Sequence, residues 1–431
     1  MPSRLRRIAA GQPALWTAFV VVHLWLGYDG LTHPNLPFGD VTNVYLPWVE
    51  QSLDGYRLGI DGPWVYPVLA FVPMLASLVL GPGLYGIGWM IMVTIADAAV
   101  FFYLVTHPRT GAAGRVTRVA AAWWWLVFLL LLGPVAVGRI DIFTVDLVIG
   151  GLLLTASRPA LAGVLLALAT WVKVWPAAVI AAVVLAVRRR MRVAVAALVT
   201  LVGVAAGALA FGSGLNAFSF ITEQTGRGLQ VEAPVSTFWL WAALAGNGSR
   251  VYYDFDILTF QVTGPGSDAA AGLMTPLLVV AVAAVLVLAF VVVRSGAAAS
   301  SVLPPLVLAL VMALIVFNKV GSPQFMVWLT APVILGVVTQ GRRFFVPAVL
   351  AFVMAGLTQI IYPIGYDWVL GLDPFMLSVL TLRNLLSVAM LALAVVLLWR
   401  ARRPGGPTHR LASAARSGEL TTDITSSETR S

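Results

Sequence analysis

Apolar runs follow one another along nearly the whole chain, and they constrain its fold more than any other feature. A helix needs about 20 predominantly apolar residues to cross a bilayer. Only 10% of the residues are charged, against about 25% in soluble domains. The sequence therefore predicts an all-α polytopic membrane protein with twelve transmembrane helices, near residues 13–28, 84–106, 119–137, 142–156, 160–172, 174–187, 193–211, 273–294, 302–317, 324–340, 344–362 and 374–399.

Arginine clusters predict the orientation of these helices. Basic residues concentrate at the cytoplasmic ends of membrane spans, so both termini are expected in the cytoplasm. The basic loop that follows residue 106 also falls inside if the apolar run 65–80 packs at the outer surface without crossing. Residues 1–403 would form one transmembrane domain, and the Ser/Thr/Arg-rich segment 404–431 a disordered cytoplasmic tail. The clusters are "RLRR" (4–7), "RRRMR" (188–192), "GRR" (341–343) and "RARRP" (400–404).

Composition also limits the chemistry. The chain has no cysteine, which excludes thiolate nucleophiles, disulfides and cysteine metal sites. Its four histidines are scattered, so we predict neither a metal site nor a bound cofactor. The net charge of +9 is explained by the cytoplasmic arginines, and a nucleic-acid partner is not expected.

Unusual polar segments all fall on the predicted outer side. They include "GRID" (138–141) and the only two lysines, Lys173 and Lys319. Each lysine alone is explained equally well by snorkelling or a structural ion pair. Together with Arg139 and Arg227 they favour a shared anionic ligand, and a phosphate is the obvious candidate. An ion pair between Arg139 and its neighbour Asp141 is a simpler alternative for "GRID".

Acidic residues gather in the first predicted outer loop. Apolar residues at helical spacing over 41–49 predict a short helix along the membrane surface. Asp40 stands at the N-cap position of that helix, where a carboxylate can accept free backbone N–H groups. Asp54 and Asp61 each adjoin a glycine and read as turn residues, while Glu50 falls on the surface helix.

Several motifs, in order, resemble glycosyltransferase family 87. They are "GDVTNVY" (39–45), "WVYP" (64–67), "GRID", "LALATWVKVWP" (166–176), "RGLQVEAP" (227–234) and "NKVGSPQF" (318–325). That family consists of polyprenyl-phosphate-mannose-dependent mannosyltransferases of the GT-C superfold. The sequence departs from the pattern after "WVYP", where a second proline is expected, and the last hundred residues carry no diagnostic motif.

The resemblance implies a GT-C-like fold with outer-surface helices in the first and fourth extracytoplasmic loops. It implies an inverting transfer of mannose from a polyprenyl-phosphate donor to a glycolipid or lipoglycan acceptor, such as a phosphatidylinositol mannoside. The enzyme would lie among the lipids of the plasma membrane with its active site on the extracytoplasmic side. Asp40 would be the catalytic base, because it occupies the position of the family's first-loop carboxylate.

The resemblance also assigns roles to the other polar residues. Four basic residues would stabilise the donor phosphate: Lys173, Lys319, Arg227 and Arg139. Arg139 is the least favoured of these because Asp141 lies beside it in sequence. Six residues would contact sugar or acceptor hydroxyls: Glu232, Gln230, Asn318, Gln324, Tyr45 and Asp141.

Two other classes of function remain open from the sequence. A transporter or flippase of a lipid-linked or anionic substrate would place charges along a path through the membrane, and the inner halves of most runs are apolar except at Asp97 and Asp146. A non-enzymatic scaffold would leave the isolated lysines unexplained.

Overall fold

The computed structural model describes residues 11–106, 112–223 and 226–402. The predicted cytoplasmic tail, 404–431, and the first arginine cluster, 4–7, lie outside the described residues. Helices dominate the described part. The α-helices are α1 Gln12–Thr32, α2 Leu46–Leu53, α3 Phe71–Ala76, α4 Tyr85–Thr106, α5 Ala112–Leu132, α6 Asp141–Leu154, α7 Pro159–Val172, α8 Pro176–Ala186, α9 Arg190–Ala210, α10 Thr237–Leu244, α11 Ser267–Arg294, α12 Ala299–Val316, α13 Thr330–Gln340, α14 Phe345–Gln359, α15 Tyr366–Leu370 and α16 Pro374–Arg400.

Helices occur at all of the apolar runs, and the structure is that of a helical polytopic membrane protein. Within the described ranges, seven helical segments are long and apolar enough to cross a bilayer. Five shorter apolar helices, among them α7 and α8, accompany them. The twelve crossings therefore stay a prediction. The seven segments are Gln12–Thr32, Pro82–Thr106, Arg190–Ala210, Ser267–Arg294, Ala299–Val316, Pro323–Ile364 and Pro374–Arg400.

Helix α12 lies at the centre of the bundle. Its membrane-length window is 78% buried, and residues on every side of it, from Val302 to Val316, are buried. A helix that is apolar all round belongs in a core rather than at a surface. It packs against α16, α11, α13 and α8, so these four helices surround it.

The segment 65–80 forms a short helical run that packs against α4. Its pieces are 3₁₀-helices Val68–Ala70 and Ser77–Leu80 on either side of α3. A Cβ at Gly88 would lie 2.0 Å from the Ser77 carbonyl oxygen, so only glycine permits this close contact. Thirteen residues of helix span about 20 Å, less than the apolar thickness of a bilayer. A surface position without crossing stays the prediction for this run.

A small sheet departs from the all-α expectation. Its three strands, β1 Leu229–Gln230, β2 Arg250–Asp254 and β3 Thr259–Thr263, are antiparallel in the order β1-β3-β2. The sequence "VYYDFDILTF" between 251 and 260 is rich in β-branched and aromatic residues, which favour strands. For this connection, residues 212–272, we predicted an outer loop with surface helices and no strand. Helix α10 and the 3₁₀-helix Gly214–Ile221 lie in the same connection.

The connections that follow alternate helices meet at one end of the bundle. Two long-range contacts join them: Asn35 Nδ2 donates to the Pro363 carbonyl at 2.7 Å, and Gln230 N donates to the Lys319 carbonyl at 3.0 Å. Arg383, on α16, also donates to the Glu232 carbonyl at 3.0 Å. The polar segments that the sequence assigned to one side are therefore brought together in space.

Candidate active site

A cavity of about 400 Å³ opens at the end of the bundle where these connections meet. Its lining mixes charged and aromatic side chains from the first connection to the last. The polar and aromatic lining residues include Asp40, Tyr45, Tyr66, Arg139, Glu223, Arg227, Gln230, Glu232, Gln324, Tyr362 and Tyr366. Seven of them, Asp40, Tyr45, Arg139, Arg227, Gln230, Glu232 and Gln324, are residues that the sequence singled out.

Asp40 lines the cavity from the first turn of a short helical segment. A π-helical turn, Val41–Tyr45, leads into α2, so residues 41–49 are helical, while their position along the membrane surface stays a prediction. The backbone of Asp40 is already helical, and its side chain makes no capping hydrogen bond. The N-cap interpretation of its carboxylate was therefore wrong. The side chain, 38% exposed, pairs instead with Arg139 Nε at 2.9 Å.

Arg139 is buried and held on several sides. Its guanidinium also donates to the carbonyls of Pro37 and Gly138. Burial alone would disfavour its charge, but Asp40 outweighs that cost, so the pKa of Arg139 is raised. A Cβ at Gly138 would lie 2.6 Å from the Phe38 ring, so glycine lets the two connections touch. These contacts fix the Asp40 carboxylate relative to the bundle.

Asp141 pairs with Lys173 rather than with its near neighbour Arg139. Both carboxylate oxygens accept from Lys173 Nζ, at 2.7 and 2.8 Å, and Trp328 Nε1 donates at 2.6 Å. The alternative of an Arg139–Asp141 pair was therefore wrong. Asp141 is the first residue of α6, whereas Arg139 lies in the connection before that helix. Neither Asp141 nor Lys173 is among the described residues that line the cavity.

Arg227 and Lys319 form the basic part of the site. Arg227 lines the cavity, and its Nε has no hydrogen-bond partner among the described residues. Burial lowers the pKa of Arg227. Lys319 is only 6% exposed and is not among the described lining residues. Burial and the like charge of Arg227 lower the pKa of Lys319. An anion in the cavity would relieve the repulsion between the two.

The floor of the cavity is formed by a carboxyl and an amide side chain from the β1 region, Glu232 and Gln230. Glu232 and Gln230 are 2% and 8% exposed. Gln230 Oε1 accepts from Gly321 N and Ser322 Oγ, both at 3.2 Å, which ties it to the connection before α13. Burial raises the pKa of the Glu232 carboxyl, while a hydrogen bond from Tyr366 acts in the opposite direction.

Three further residues from the sequence analysis have mostly structural contacts. Tyr45 is buried, lines the cavity and accepts from Ile140 N at 3.4 Å. Gln324 lines the cavity at 9% exposure. Asn318 Oδ1 accepts from Val320 N at 2.9 Å, which shapes its own turn, and Asn318 is not among the described lining residues.

The other acidic residues of the first connection lie away from the cavity. Asp61 accepts from Arg57 in an i,i+4 pair at 2.7 Å, and Asp54 follows the last residue of α2. Both are turn residues, as predicted, and Glu50 is an exposed residue of α2. Among the described residues, no group of three or more His, Asp or Glu side chains could hold a metal ion.

Sequence reasoning missed the aromatic side of the site. Tyr66 lies in the recognised "WVYP" motif, but Tyr362 and Tyr366 come from the break "YPIGY" (362–366) in an apolar region that carries no recognised motif. Arg383 was also missed. It is the only charged residue inside the run 374–399, and an ionisable residue within a membrane span is a signal for function.

A model of a known family matches part of the chain. A search of curated proteins found no match. Residues 64–250, which include "GRID", the Lys173 segment, Arg227 and Glu232, match the model of glycosyltransferase family 87. This match confirms the resemblance that the motifs indicated, and it supports a membrane glycosyltransferase activity for this polytopic chain.

Proposed function

We propose that the protein transfers mannose from a polyprenyl-phosphate donor to a glycolipid or lipoglycan acceptor, such as a phosphatidylinositol mannoside. The observation that carries the proposal is the single cavity in which the Asp40 carboxylate and the Arg227 guanidinium both line the wall. An acceptor hydroxyl needs a base, and a departing phosphate needs a cation. One cavity at the end of a membrane bundle supplies both.

Asp40 acts as the base. Its carboxylate is partly exposed to the cavity, while Arg139 fixes one of its oxygens. The other oxygen is left to accept the proton of the acceptor hydroxyl as that oxygen attacks the anomeric carbon. Polyprenyl phosphate leaves from the opposite face, so the configuration inverts. Phosphate is a good leaving group, so a paired acid of the kind that glycosidases use is unnecessary.

The donor phosphate binds at Arg227, with Lys319 supplying a second positive charge behind it. Arg227 Nε lacks a partner within the described chain, so it can donate to a phosphate oxygen. Lys173 and Arg139 were expected in the same role. Their ion pairs with Asp141 and Asp40 favour a supporting role, in which each holds a neighbouring side chain in place.

Hydroxyl groups of the sugar or the acceptor contact the amide and carboxylate lining. Glu232, Gln230 and Gln324 are the candidates on the wall, and Tyr45 adds a phenol near Asp40. Aromatic rings of Tyr66, Tyr362 and Tyr366 give the sugar ring apolar faces to pack against. Asn318 and Asp141 shape the surrounding turns.

The charge pattern favours an extracytoplasmic active site in the plasma membrane. The arginines at 188–192, 294, 342–343 and 400 occupy the ends of helices opposite the cavity. Because basic residues stay on the cytoplasmic side, the cavity end faces outward. A lipid-linked donor is the natural substrate there, since nucleotide sugars are confined to the cytoplasm.

A transfer assay with purified protein tests the proposal. Polyprenyl-phosphate-mannose and a phosphatidylinositol mannoside should give a glycolipid longer by one mannose. Asp40→Asn should lower kcat by about 10²- to 10⁴-fold, the usual contribution of a general base. Glu50→Gln, on the exposed side of the neighbouring helix, is the matched control and should transfer normally. Full transfer by a folded Asp40→Asn variant would remove Asp40 as the base.

One feature inside the bundle favours the alternative of a transporter or flippase. His23, on α1, pairs with Asp97, on α4, at 2.7 Å, and Asp146, on α6, lies beside Asp97. All three side chains are buried, and buried ionisable groups in membrane helices commonly mark transport paths. Movement of the lipid-linked sugar across sealed vesicles without transfer would favour this alternative.

A further inference from the structure

A polar stripe crosses the otherwise apolar helix α16 beneath the cavity floor. Arg383, Asn384 and Ser387 lie on one face of that helix and are 1%, 4% and 0% exposed. Asn384 Nδ2 donates to Thr237 Oγ1 at 2.8 Å, and Ser387 Oγ donates to the Arg383 carbonyl at 3.0 Å. Asn384 and Ser387 therefore each have a local partner, although Asn384 Oδ1 has none among the described residues; the buried charge of Arg383 needs a separate explanation.

Arg383 is directed at Glu232. One of its terminal nitrogens donates to the Glu232 backbone carbonyl at 3.0 Å. Its Nε and its other terminal nitrogen have no hydrogen-bond partner among the described residues. A buried guanidinium with two unmade hydrogen bonds is costly. The compensation is electrostatic, because the carboxylate of Glu232 carries the opposite charge.

Glu232, the partner on the cavity side, also has an unmade hydrogen bond. It lines the cavity, and its Oε2 has no partner within the described ranges. Three groups face this carboxyl besides the Gln230 amide: Tyr366 by a hydrogen bond, Arg383 by its charge, and Tyr362. A buried carboxylate oxygen with no donor, at the wall of a cavity, is placed to accept a hydrogen bond from whatever enters.

A pair kept for stability alone would be a poor solution. Buried ion pairs cost about as much to desolvate as they return, and replacing both partners together is often neutral or stabilising. The unmade hydrogen bonds make the net contribution of this pair to stability less favourable still. A role in function accounts for the arrangement, because the missing partner is then the substrate.

We propose that Arg383 is a positioning residue that holds the Glu232 carboxylate ionised and oriented at the cavity floor, where it accepts a hydrogen bond from a sugar hydroxyl. This rests on the proposed glycosyl transfer and extends its site to the last helix, α16. The hydroxyl belongs either to the mannose of the donor or to the sugar headgroup of the acceptor, since both present the same chemistry.

Kinetics of transfer test the proposal with polyprenyl-phosphate-mannose and a phosphatidylinositol mannoside. Glu232→Gln and Arg383→Met should each raise the KM for one of the two substrates by about 10- to 100-fold, the worth of a hydrogen bond to a charged group. The substrate whose KM rises identifies the source of the hydroxyl. The double variant should be no worse than the single variants, because Arg383 acts only through Glu232.

Melting temperatures distinguish the proposed positioning role of Arg383 from a purely structural role. The double variant Glu232→Gln/Arg383→Met should melt at or above the temperature of the wild type while its KM stays raised. Arg400→Met, an exposed arginine at the other end of α16, is the matched control. Unchanged KM values in the folded double variant would overturn the proposal, as would additive losses from the two single changes.

The charge of Glu232 can be followed without turnover. Infrared difference titration of wild type against Glu232→Gln isolates its carboxyl band, and the same difference in the Arg383→Met background shows the effect of the arginine. Loss of the positive charge should raise the pH at which Glu232 ionises. An unchanged midpoint would overturn the proposal. This measurement stands even if the wild type transfers no sugar, which would count against the proposed function instead.

Discussion

At the scale of single residues, the site depends on which charges pair. Arg139 and Asp141 are two positions apart, yet each pairs with a residue from a different connection, Asp40 and Lys173. The two ion pairs therefore join three connections rather than closing on themselves. Arg227 also lines the cavity and takes part in no ion pair of the described residues, and its charge acts on the nearby Lys319.

The pH dependence of the KM for the donor should reveal the ionisation of Lys319. Burial and the charge of Arg227 lower the pKa of Lys319, so its charge is lost at a lower pH than that of an exposed lysine. The KM for the donor should therefore rise as pH increases through that lowered pKa. Arg227→Gln removes the like charge, which raises the pKa of Lys319 and moves this rise to higher pH.

The control is Lys319→Arg, because arginine stays charged throughout the accessible pH range. The alkaline rise in KM should disappear in this variant. Steady-state kinetics at a series of pH values gives the comparison. An alkaline rise that persists in Lys319→Arg would assign it to another group.

At the scale of elements, the connection 317–322 lies directly on the β1 region. A Cβ at Gly321 would stand 2.2 Å from Ala233 N and 2.3 Å from Ala233 Cα. Gly321 N also donates to Gln230 Oε1 at 3.2 Å. The absence of a side chain at Gly321 thus sets how closely the Lys319 connection approaches the cavity floor.

Gly321→Ala should separate these two elements. The backbone cannot move aside cheaply, so we expect a loss of about 1–3 kcal/mol of stability, as for overpacked sites, together with weaker transfer. Gly203→Ala is the control: no heavy atom lies within 4 Å of its added Cβ, and α9 should gain up to about 1 kcal/mol. Denaturation in detergent and the transfer assay measure both effects. Wild-type transfer by Gly321→Ala would contradict the close contact.

At the scale of the whole molecule, every connection that builds the cavity lies at one end of the bundle. Much of this follows from sequence, because apolar runs locate the helices and alternate connections of a membrane bundle fall on the same side. The partners of Arg139 and Asp141 could not be predicted. The local sequence allows an ion pair between these two residues as well as separate pairs with residues from other connections. Strands β2 and β3 are short and partly exposed, so their periodicity is weak. Arg383 is a charged residue inside an apolar run, which indicates function, but it belongs to none of the recognised motifs.

The orientation of the bundle can be measured directly, since the chain has no cysteine. Asp54→Cys lies at the cavity end and Ala298→Cys at the opposite end, and both positions are exposed. In intact cells a membrane-impermeant maleimide should label Asp54→Cys and leave Ala298→Cys unlabelled until the cells are opened. The reverse labelling would place the cavity in the cytoplasm and rule out the proposed outer-face reaction.

The distance along the chain between contacting residues has a consequence for biosynthesis. Asn35 bonds to the carbonyl of Pro363, 328 positions later, and Arg383 reaches back 151 positions to Glu232. The ribosome delivers helices to the membrane from the N-terminus onward. Asp40 and Arg139 are thus inserted long before Tyr366 and Arg383 exist. A nascent chain halted before α14 already contains Asp40, Arg227 and Glu232 but lacks Tyr362, Tyr366 and Arg383, so the cavity is completed only when synthesis is nearly finished.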